Sequence, residues 1–200
     1  MSQPHNAIAK GILMFKTEKE KSLSGQLYNA NYDKELIAER QHAKTLCYEY
    51  NKTPPGSTAE RIEILRKLLG KTYNNLLIEQ PFFCDYGYNI EIGENFYMNH
   101  GGIILDGARV KFGDNVFIGP NCGFYTPNHP FDKKQRSMGL EYVYPITVGD
   151  DVWFGGGVIV LSGITIGNNV VIGAGSVVTK DIPSGVVAAG NPCRIIRKIS

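Results

Sequence analysis

The stretch from Val148 to Pro183 constrains the fold of this chain more than any other. Read in sixes, it gives Val148-Gly-Asp-Asp-Val-Trp, Phe154-Gly-Gly-Gly-Val-Ile, Val160-Leu-Ser-Gly-Ile-Thr, Ile166-Gly-Asn-Asn-Val-Val, Ile172-Gly-Ala-Gly-Ser-Val and Val178-Thr-Lys-Asp-Ile-Pro. Each block opens with an apolar side chain, usually followed by Gly or another small residue. Its fifth position carries a second, smaller apolar or hydroxyl residue. Such a hexapeptide repeat is the sequence sign of a parallel β-helix. Three short strands make one triangular turn, so about eighteen residues return the chain to the same place one strand spacing higher, ~4.8 Å. The opening residue points into the prism, where stacked copies form a continuous core. Gly or Asn at the corners tolerates backbone angles that bulkier residues resist. A strand at period two or a helix at 3.6 would not space apolar residues this way.

The same block recurs upstream as Ile92-Gly-Glu-Asn-Phe-Tyr, Phe112-Gly-Asp-Asn-Val-Phe and Ile118-Gly-Pro-Asn-Cys-Gly, so the solenoid begins around Ile78 or Phe82. The blocks opening at Ile92, Phe112, Val148 and Ile166 repeat Gly-acid/amide-Asn/Asp at offsets near one or two turns, which predicts that they stack on one face. A small insertion falls between Ile104 and Phe112. A larger interruption, from Pro127 to Tyr144, has no hexapeptide phase. A long irregular loop leaving a rigid solenoid is usually functional.

Ahead of the coil, residues 1–16 carry no periodic pattern and read as a disordered extension. Thr17 with Glu20 forms a capping box that opens a short helix ending near Gly25. Asp33 reads as the N-cap of a longer helix with Leu36, Ile37, Arg40, Ala43, Leu46, Cys47 and Tyr50 at helical spacing, ended by Thr53-Pro-Pro-Gly56. Ser57 and Glu60 read as another capping box, opening a third helix that stops at Gly70. The expected organisation is a helical segment over 17–75 and a β-helix over 76–199 with the loop 127–144. The helices suit two roles that are compatible: a cap over the open end of the solenoid, and a wall of a substrate site.

Composition narrows the function. The 23 glycines suit a corner-rich solenoid, and a net charge of +2 suggests no nucleic-acid partner. Cys47, Cys84, Cys122 and Cys193 form no Cys-x-x-Cys pair and read as reduced thiols of a cytoplasmic protein. No run approaches the length of a membrane span. The apolar stretch Ile8 to Phe15 is broken by Lys10 and lacks a small-residue cleavage site, unlike a signal peptide.

The candidate chemistry gathers at the loop. It opens with Thr126-Pro-Asn-His-Pro130, and a neutral imidazole at His129 suits a general base near pH 7. Alone, His129 reads rather as a surface histidine; its place where coil gives way to loop reverses that in favour of function. Glu141, near the loop's far end, could accept the other ring N–H and fix the tautomer, or simply be solvated. Tyr97-Met-Asn99 lies roughly one turn earlier. The amide of Asn99 is either a corner residue or a group able to hold a hydroxyl and steady developing negative charge. Asp85 and Asp106 offer carboxylates for sugar hydroxyls, or cap turns. Toward the C-terminus, Lys180, Arg194 and Arg197 could rim a phosphorylated cofactor, with Gly173, Ala174 and Gly175 small enough for a ligand to lie against the backbone.

The chain resembles the maltose and galactoside O-acetyltransferases of the hexapeptide-repeat acyltransferase superfamily. The resemblance runs from about Thr17 to Ile199. Its motifs are Cys84-Asp-Tyr-Gly-Tyr-Asn-Ile-Glu-Ile-Gly, the His-Pro of the loop, Pro145-Ile-Thr-Val-Gly-Asp-Asp-Val-Trp-Phe-Gly-Gly, Val178-Thr-Lys-Asp-Ile-Pro and Gly190-Asn-Pro-Cys-Arg-Ile-Ile. It implies a left-handed coil, an exception to the usual right-handed crossover, a homotrimer with sites between subunits, and acetyl-CoA as donor. By that resemblance His129 is the base, Asn99 helps bind the acceptor and stabilise the transition state, and Asp85 and Asp106 face the sugar. Trp153, Gly156, Ala174, Thr179, Lys180, Arg194 and Arg197 line the cofactor channel. The residue pattern itself adds Glu141 as partner of His129 and Tyr97 beside Asn99 on the acceptor side. The chain departs from the family at three points. Ala30, flanked by Asn29 and Asn31, stands where the galactoside enzymes have an acceptor-contacting Asp. A second such Asp aligns nearer Gly107, and Gly156 replaces a cofactor-contacting serine.

The expected reaction is direct transfer of acetyl to a sugar hydroxyl in a ternary complex, since no Ser or Cys is convincingly placed as a nucleophile. Three rivals share the fold. A xenobiotic acetyltransferase is disfavoured by the helical segment. A zinc carbonic anhydrase needs three histidines, and the repeats hold only His100 and His129. A non-catalytic trimeric scaffold predicts no acetyl-CoA binding. The loop's Phe131, Met138, Leu140, Tyr142 and Tyr144 would be stranded on a monomer, which argues for burial by a neighbouring solenoid; the resemblance sets the number of subunits at three.

Overall fold

The computed structural model describes residues 16–199. The expected N-terminal extension lies outside the described residues, apart from Lys16.

The hexapeptide phase becomes a triangular prism with three parallel sheets. Face I stacks Leu76–Ile78, Phe96–Met98, Phe117–Ile118, Val152–Phe154, Val170–Ile172 and Val186–Ala189, and is closed by the antiparallel strand Arg194–Lys198. Face II stacks Phe82–Cys84, Gly102–Leu105, Gly123–Tyr125, Ile159–Val160 and Val177–Val178. Face III stacks Ile90–Glu91, Val110–Phe112, Ile146–Val148 and Thr165–Ile166. Each turn of the chain visits the faces in the order I, II, III.

Block-opening residues fill the prism, and four phenylalanines run through it. Phe112 meets Phe96 and Phe124 edge-on, with centroids 5.2 and 5.0 Å apart, and Phe124 meets Phe154 at 5.3 Å. Edge-to-face contact of this kind is favoured by the ring quadrupole.

The predicted stack of Gly-acid/amide-Asn/Asp blocks forms the corner between faces III and I. Asn95, Asn115, Asp151 and Asn169 all have φ between 52° and 57°, a left-handed conformation that Asn and Asp tolerate best among residues with a Cβ. Their side chains bond vertically: Asn75 Nδ2 donates to Asn95 Oδ1, Asn95 Nδ2 to Asn115 Oδ1 and Asn115 Nδ2 to Asp151 Oδ1, each at 2.9 Å. One residue earlier, the amides of Glu94, Asp114 and Asp150 donate to Asp114, Asp150 and Asn168 on the next coil.

Three helices precede the coil: α1 (Glu18–Leu23), α2 (Lys34–Lys52) and α3 (Thr58–Leu68). Thr17 and Glu20 make the expected capping box, and Asp33 accepts the Leu36 amide at 2.9 Å. The second expected box does not form. Ser57 has ψ 56°, away from the extended geometry that aims an N-cap hydroxyl at the third amide, and its side chain makes no capping bond. Helices α2 and α3 seal the open end of the prism. Leu46, Cys47, Tyr50, Ile64, Leu65 and Leu68 join the solenoid core in one cluster. The Asn51 amide closes the edge strand by donating to Phe82 O and accepting from Phe82 N, both at 2.9 Å.

The interruptions sit at one corner, between faces II and III. Tyr97 pairs with Phe117 twenty residues on, whereas Trp153 pairs with Val171 eighteen on. The lower coils therefore carry extra residues, and these bulge at that corner around Asp85–Gly87 and Asp106–Ala108. The loop 127–144 leaves the same corner one coil higher. It holds a short helix, α4 (Lys133–Ser137), which was not foreseen and is capped by Asp132. Its ends are tied together where Pro127–Asn128 pairs antiparallel with Tyr142–Val143.

Candidate active site

The loop's register sets the central geometry. Asn128 pairs with Tyr142, so His129 and Glu141 lie opposite each other one step further out. His129 Nδ1 is 3.2 Å from Leu140 O. A carbonyl only accepts, so Nδ1 carries the proton and Nε2 keeps a free lone pair. Glu141 Oε1 stands 4.0 Å from Nε2. This corrects the sequence expectation: the tautomer is fixed by the Leu140 carbonyl, and Glu141 sits beside the other nitrogen, beyond hydrogen-bond reach.

The N-terminal segment pins Glu141. Tyr28 and Glu141 exchange backbone bonds of 2.9 and 3.0 Å, and the Tyr28 hydroxyl donates to Glu141 Oε2 at 3.4 Å. Burial raises both groups, while His129 pulls Glu141 back toward ionisation.

A pocket of about 210 Å³ opens beside the imidazole, bounded by Asn31, Arg40, Asp85, Gly107, His129 and Glu141 among others. Arg40 braces it from α2, donating to the Tyr86 hydroxyl at 2.7 Å and to Ala30 O at 2.5 Å. Burial pushes the Asp85 carboxyl up, against the pull of Arg40 and Lys44. A Cβ at Gly107 would come within 2.8 Å of Val143 Cγ1, so any side chain there requires Val143 to move. The helical segment thus both caps the prism and walls the pocket. Tyr28, Arg40 and Tyr86 were not singled out as site residues, whereas Asn31 was noted beside Ala30 at the position of the family's acceptor-contacting Asp.

Other expected site residues lie elsewhere. Asp106 does not face the pocket: it is 0 % exposed, and its Oδ1 accepts the amides of Asp85 at 3.0 Å and Tyr86 at 2.8 Å. The bulged corner turns its side chain inward, above the Asp85 turn of the coil below. Asn99 follows face I at the corner between faces I and II, where its Oδ1 accepts the His100 amide at 2.7 Å. His129 is at the opposite edge of face II, so one chain does not bring the two together. Tyr97 points outward from face I in register with Leu77 and Phe117.

The basic and small residues expected to hold a cofactor divide similarly. Gly156 and Ala174 occupy the I/II corner, Thr179 and Lys180 the II/III corner two coils above the loop, and Trp153 stands 56 % exposed on face I. Arg194 and Arg197 are exposed on the closing strand. Among the described residues, no three His, Cys, Asp or Glu side chains cluster as metal ligands, and no helix is long and apolar enough to cross a membrane.

A prism of hexapeptide coils with a histidine-bearing loop at one corner defines a hexapeptide-repeat acyltransferase. Residues 21–73 match the maltose acetyltransferase hexapeptide capping motif, and residues 145–180 match the bacterial transferase hexapeptide model of six repeats. A maltose O-acetyltransferase from Clostridium difficile is 52% identical, superposes with a TM-score of 0.91, and is matched over 92% of this chain and 98% of its own. A galactoside acetyltransferase in complex with coenzyme A is 41% identical with a TM-score of 0.90, over 93% and 92% of the two chains. A hexapeptide-repeat acetyltransferase from Vibrio cholerae, complexed with acetyl coenzyme A, is 36% identical with a TM-score of 0.85, over 92% and 100%. The chain belongs to the maltose/galactoside O-acetyltransferase family, and its fold is that family's left-handed parallel β-helix. It is an O-acetyltransferase.

Proposed function

We propose that this enzyme moves the acetyl group of acetyl-CoA to a hydroxyl of a small sugar, with His129 as general base, in a cytoplasmic homotrimer whose sites lie between subunits. The observation that carries the mechanism is the 3.2 Å bond from His129 Nδ1 to Leu140 O, which leaves Nε2 as the basic atom beside a pocket holding a carboxylate and a guanidinium.

Nε2 takes the proton of the acceptor hydroxyl as its oxygen attacks the thioester carbonyl carbon. The tetrahedral intermediate collapses, expelling the CoA sulfur, which takes the proton back from the imidazolium. The products are the acetyl ester and free CoA. Glu141, 4.0 Å away, favours the transient imidazolium. Asp85, Asn31 and Arg40 are the acceptor-binding candidates. Among the described residues no nucleophile for a covalent acetyl-enzyme is convincingly placed: Cys47, Cys84, Cys122 and Cys193 are all buried, and burial pushes up the thiols of Cys122 and Cys193.

Acetyl-CoA as donor is supported by the CoA-bound relatives and by the position of Lys180, two coils above His129 on the same corner. Assembly is supported by which surfaces are apolar. The outward row of face III is Glu91, Lys111, Thr147 and Thr165, which suits solvent. Face I presents Leu77, Tyr97, Phe117, Trp153 and Val171, and face II presents Phe83, Ile103, Ile159 and Val177; of these two apolar faces, face II is the one bordered by both the Asn99 corner and the His129 corner. Three prisms turning face II toward a common axis set the I/II corner of one against the II/III corner of the next. That meeting joins Asn99, Gly156 and Ala174 of one chain to His129, Thr179 and Lys180 of its neighbour. Phe131, 97 % exposed, and Met138, 60 % exposed, then reach toward an adjacent prism, where burial yields about 25 cal/mol per Å².

His129→Ala tests the reading. It should lower kcat by ~10²–10⁴ with trimer and acetyl-CoA binding intact. A loss under about threefold would clear His129 of the role, and ping-pong kinetics with a trapped acetylated protein would replace direct transfer by an acyl-enzyme.

A further inference from the structure

We propose that Asp106 and Thr126, both fully buried, form a positioning string that sets the height of the acceptor-binding turn relative to His129. The inference rests on the reading of Asp85 as an acceptor ligand, and gives these two residues a task that is neither catalysis nor contact with the sugar.

The string climbs the II/III corner coil by coil. On the first coil, the amides of Asp85 and Tyr86 both donate to Asp106 Oδ1. The Asn89 side chain donates to Asp106 O at 2.8 Å, so the Asp85–Asn89 turn hangs from one residue of the second coil. On the second coil, the turn that carries Asp106 is held from above. Thr126 Oγ1 donates to Leu105 O at 2.8 Å and accepts the Ala108 amide at 2.9 Å, gripping it on both sides. On the third coil Thr126 lies three residues before His129, and its own carbonyl accepts the Ser162 hydroxyl of the fourth coil at 2.7 Å.

This corner is where support is needed. The corner between faces III and I stacks regular blocks, held by strand ladders and by its own Asn/Asp column. Here the lower coils bulge by extra residues, and the side-chain bonds of Asp106 and Thr126 add to the backbone bond from Thr126 N to Leu105 O at 3.1 Å. Asp106 and Thr126 are 0 % exposed, and Asp106 Oδ2 is buried without a hydrogen-bond partner. A half-satisfied buried carboxyl is costly to keep, which fits a residue retained for where it holds the main chain. Displacing a bound group by about 1 Å can cost on the order of 10²-fold in rate.

The test compares full-length Asp106→Ala, Asp106→Asn, Thr126→Val and Asp85→Ala with wild type, using glucose as acceptor and CoA release as readout. Thr126→Val conserves shape and serves if Asp106→Ala fails to fold. Asp106→Ala and Thr126→Val should raise the glucose KM about 10- to 100-fold while the dissociation constant for acetyl-CoA stays within about twofold. Asp106→Asn, which keeps an accepting oxygen, should restore most of the loss. Folded Asp106→Ala and Thr126→Val proteins with unchanged glucose KM would overturn the string, as would equal loss of glucose and acetyl-CoA binding. If Asp85→Ala leaves the glucose KM untouched, or wild type does not turn glucose over, the acceptor reading fails and the string falls with it. A raised KM in Asp85→Ala alone would sink only the string.

Discussion

Glu141 Oε1 lies 4.0 Å from His129 Nε2, held there by the antiparallel pairing of the loop's two ends and by the Tyr28 hydroxyl. At that distance the carboxylate does not lock the imidazole, and in the proposed mechanism its part is to stabilise the imidazolium once the acceptor proton has moved.

Glu141→Gln should therefore lower kcat by roughly tenfold, about 1.4 kcal/mol of transition-state stabilisation, with little change in acetyl-CoA KM. Because burial raises the Glu141 carboxyl above its ordinary value, its benefit appears only once the pH has passed that raised value. Pre-steady-state rates across pH 4–8 should show the Gln variant losing this limb while wild type keeps it. Identical profiles would remove Glu141 from the mechanism.

Asp106 predicts a pH-dependent stability. Its folded-state carboxyl is pushed up to about 6, chiefly by burial, from an ordinary 3.8. The folded protein therefore holds a proton that the unfolded chain releases. The stabilising contribution is complete below about 3.8 and is lost as pH rises through 6. Linkage puts the full effect at about 3 kcal/mol. Urea titrations of wild type and Asp106→Asn at pH 4.5 and 7.5 should differ in slope with pH, the Asn variant being flatter in that window. Parallel behaviour would contradict the buried-carboxyl account.

The cap has its own test. Removing the Asn51 amide leaves the Phe82 N–H and C=O without their side-chain partner, at a cost of about 1–3 kcal/mol. Asn51→Ala should lower the melting temperature yet leave kcat at 25 °C unchanged, as Asn51 does not border the acceptor pocket. A variant as stable as wild type would show that the Asn51–Phe82 bonds contribute nothing to sealing the prism end.

Much of this architecture was legible in the chain. Isoleucine, valine and phenylalanine at six-residue steps fixed the coil, and Asn95, Asn115, Asp151 and Asn169 revealed their common corner because each needs the same left-handed backbone. Thr17 and Asp33 announced their helices. Ser57 misled because the turn before α3 rotates it away from the amides it would cap. The site was harder to read where irregular backbone decides. Whether Asp106 points out or in depends on a bulge of extra residues, and Leu140 becomes the partner of His129 through a carbonyl, which every residue has. From its place roughly one turn before the loop, Asn99 was either a corner residue or a group near the histidine. The two lie on opposite edges of face II, and in the proposed assembly a second chain joins them.

Subunit mixing tests that junction, the central claim, most directly. His129→Ala and Asn99→Ala homotrimers should each be nearly inactive, the second by ~10²-fold if its amide steadies the oxyanion. Co-expressed in equal amounts, they should assemble mixed trimers in which an intact His129 of one chain faces an intact Asn99 of the next. Random assembly of a closed ring then restores about a quarter of wild-type sites, measured as CoA release per trimer. Activity that stays at the sum of the two parents in verified mixed trimers would contradict a site shared between subunits.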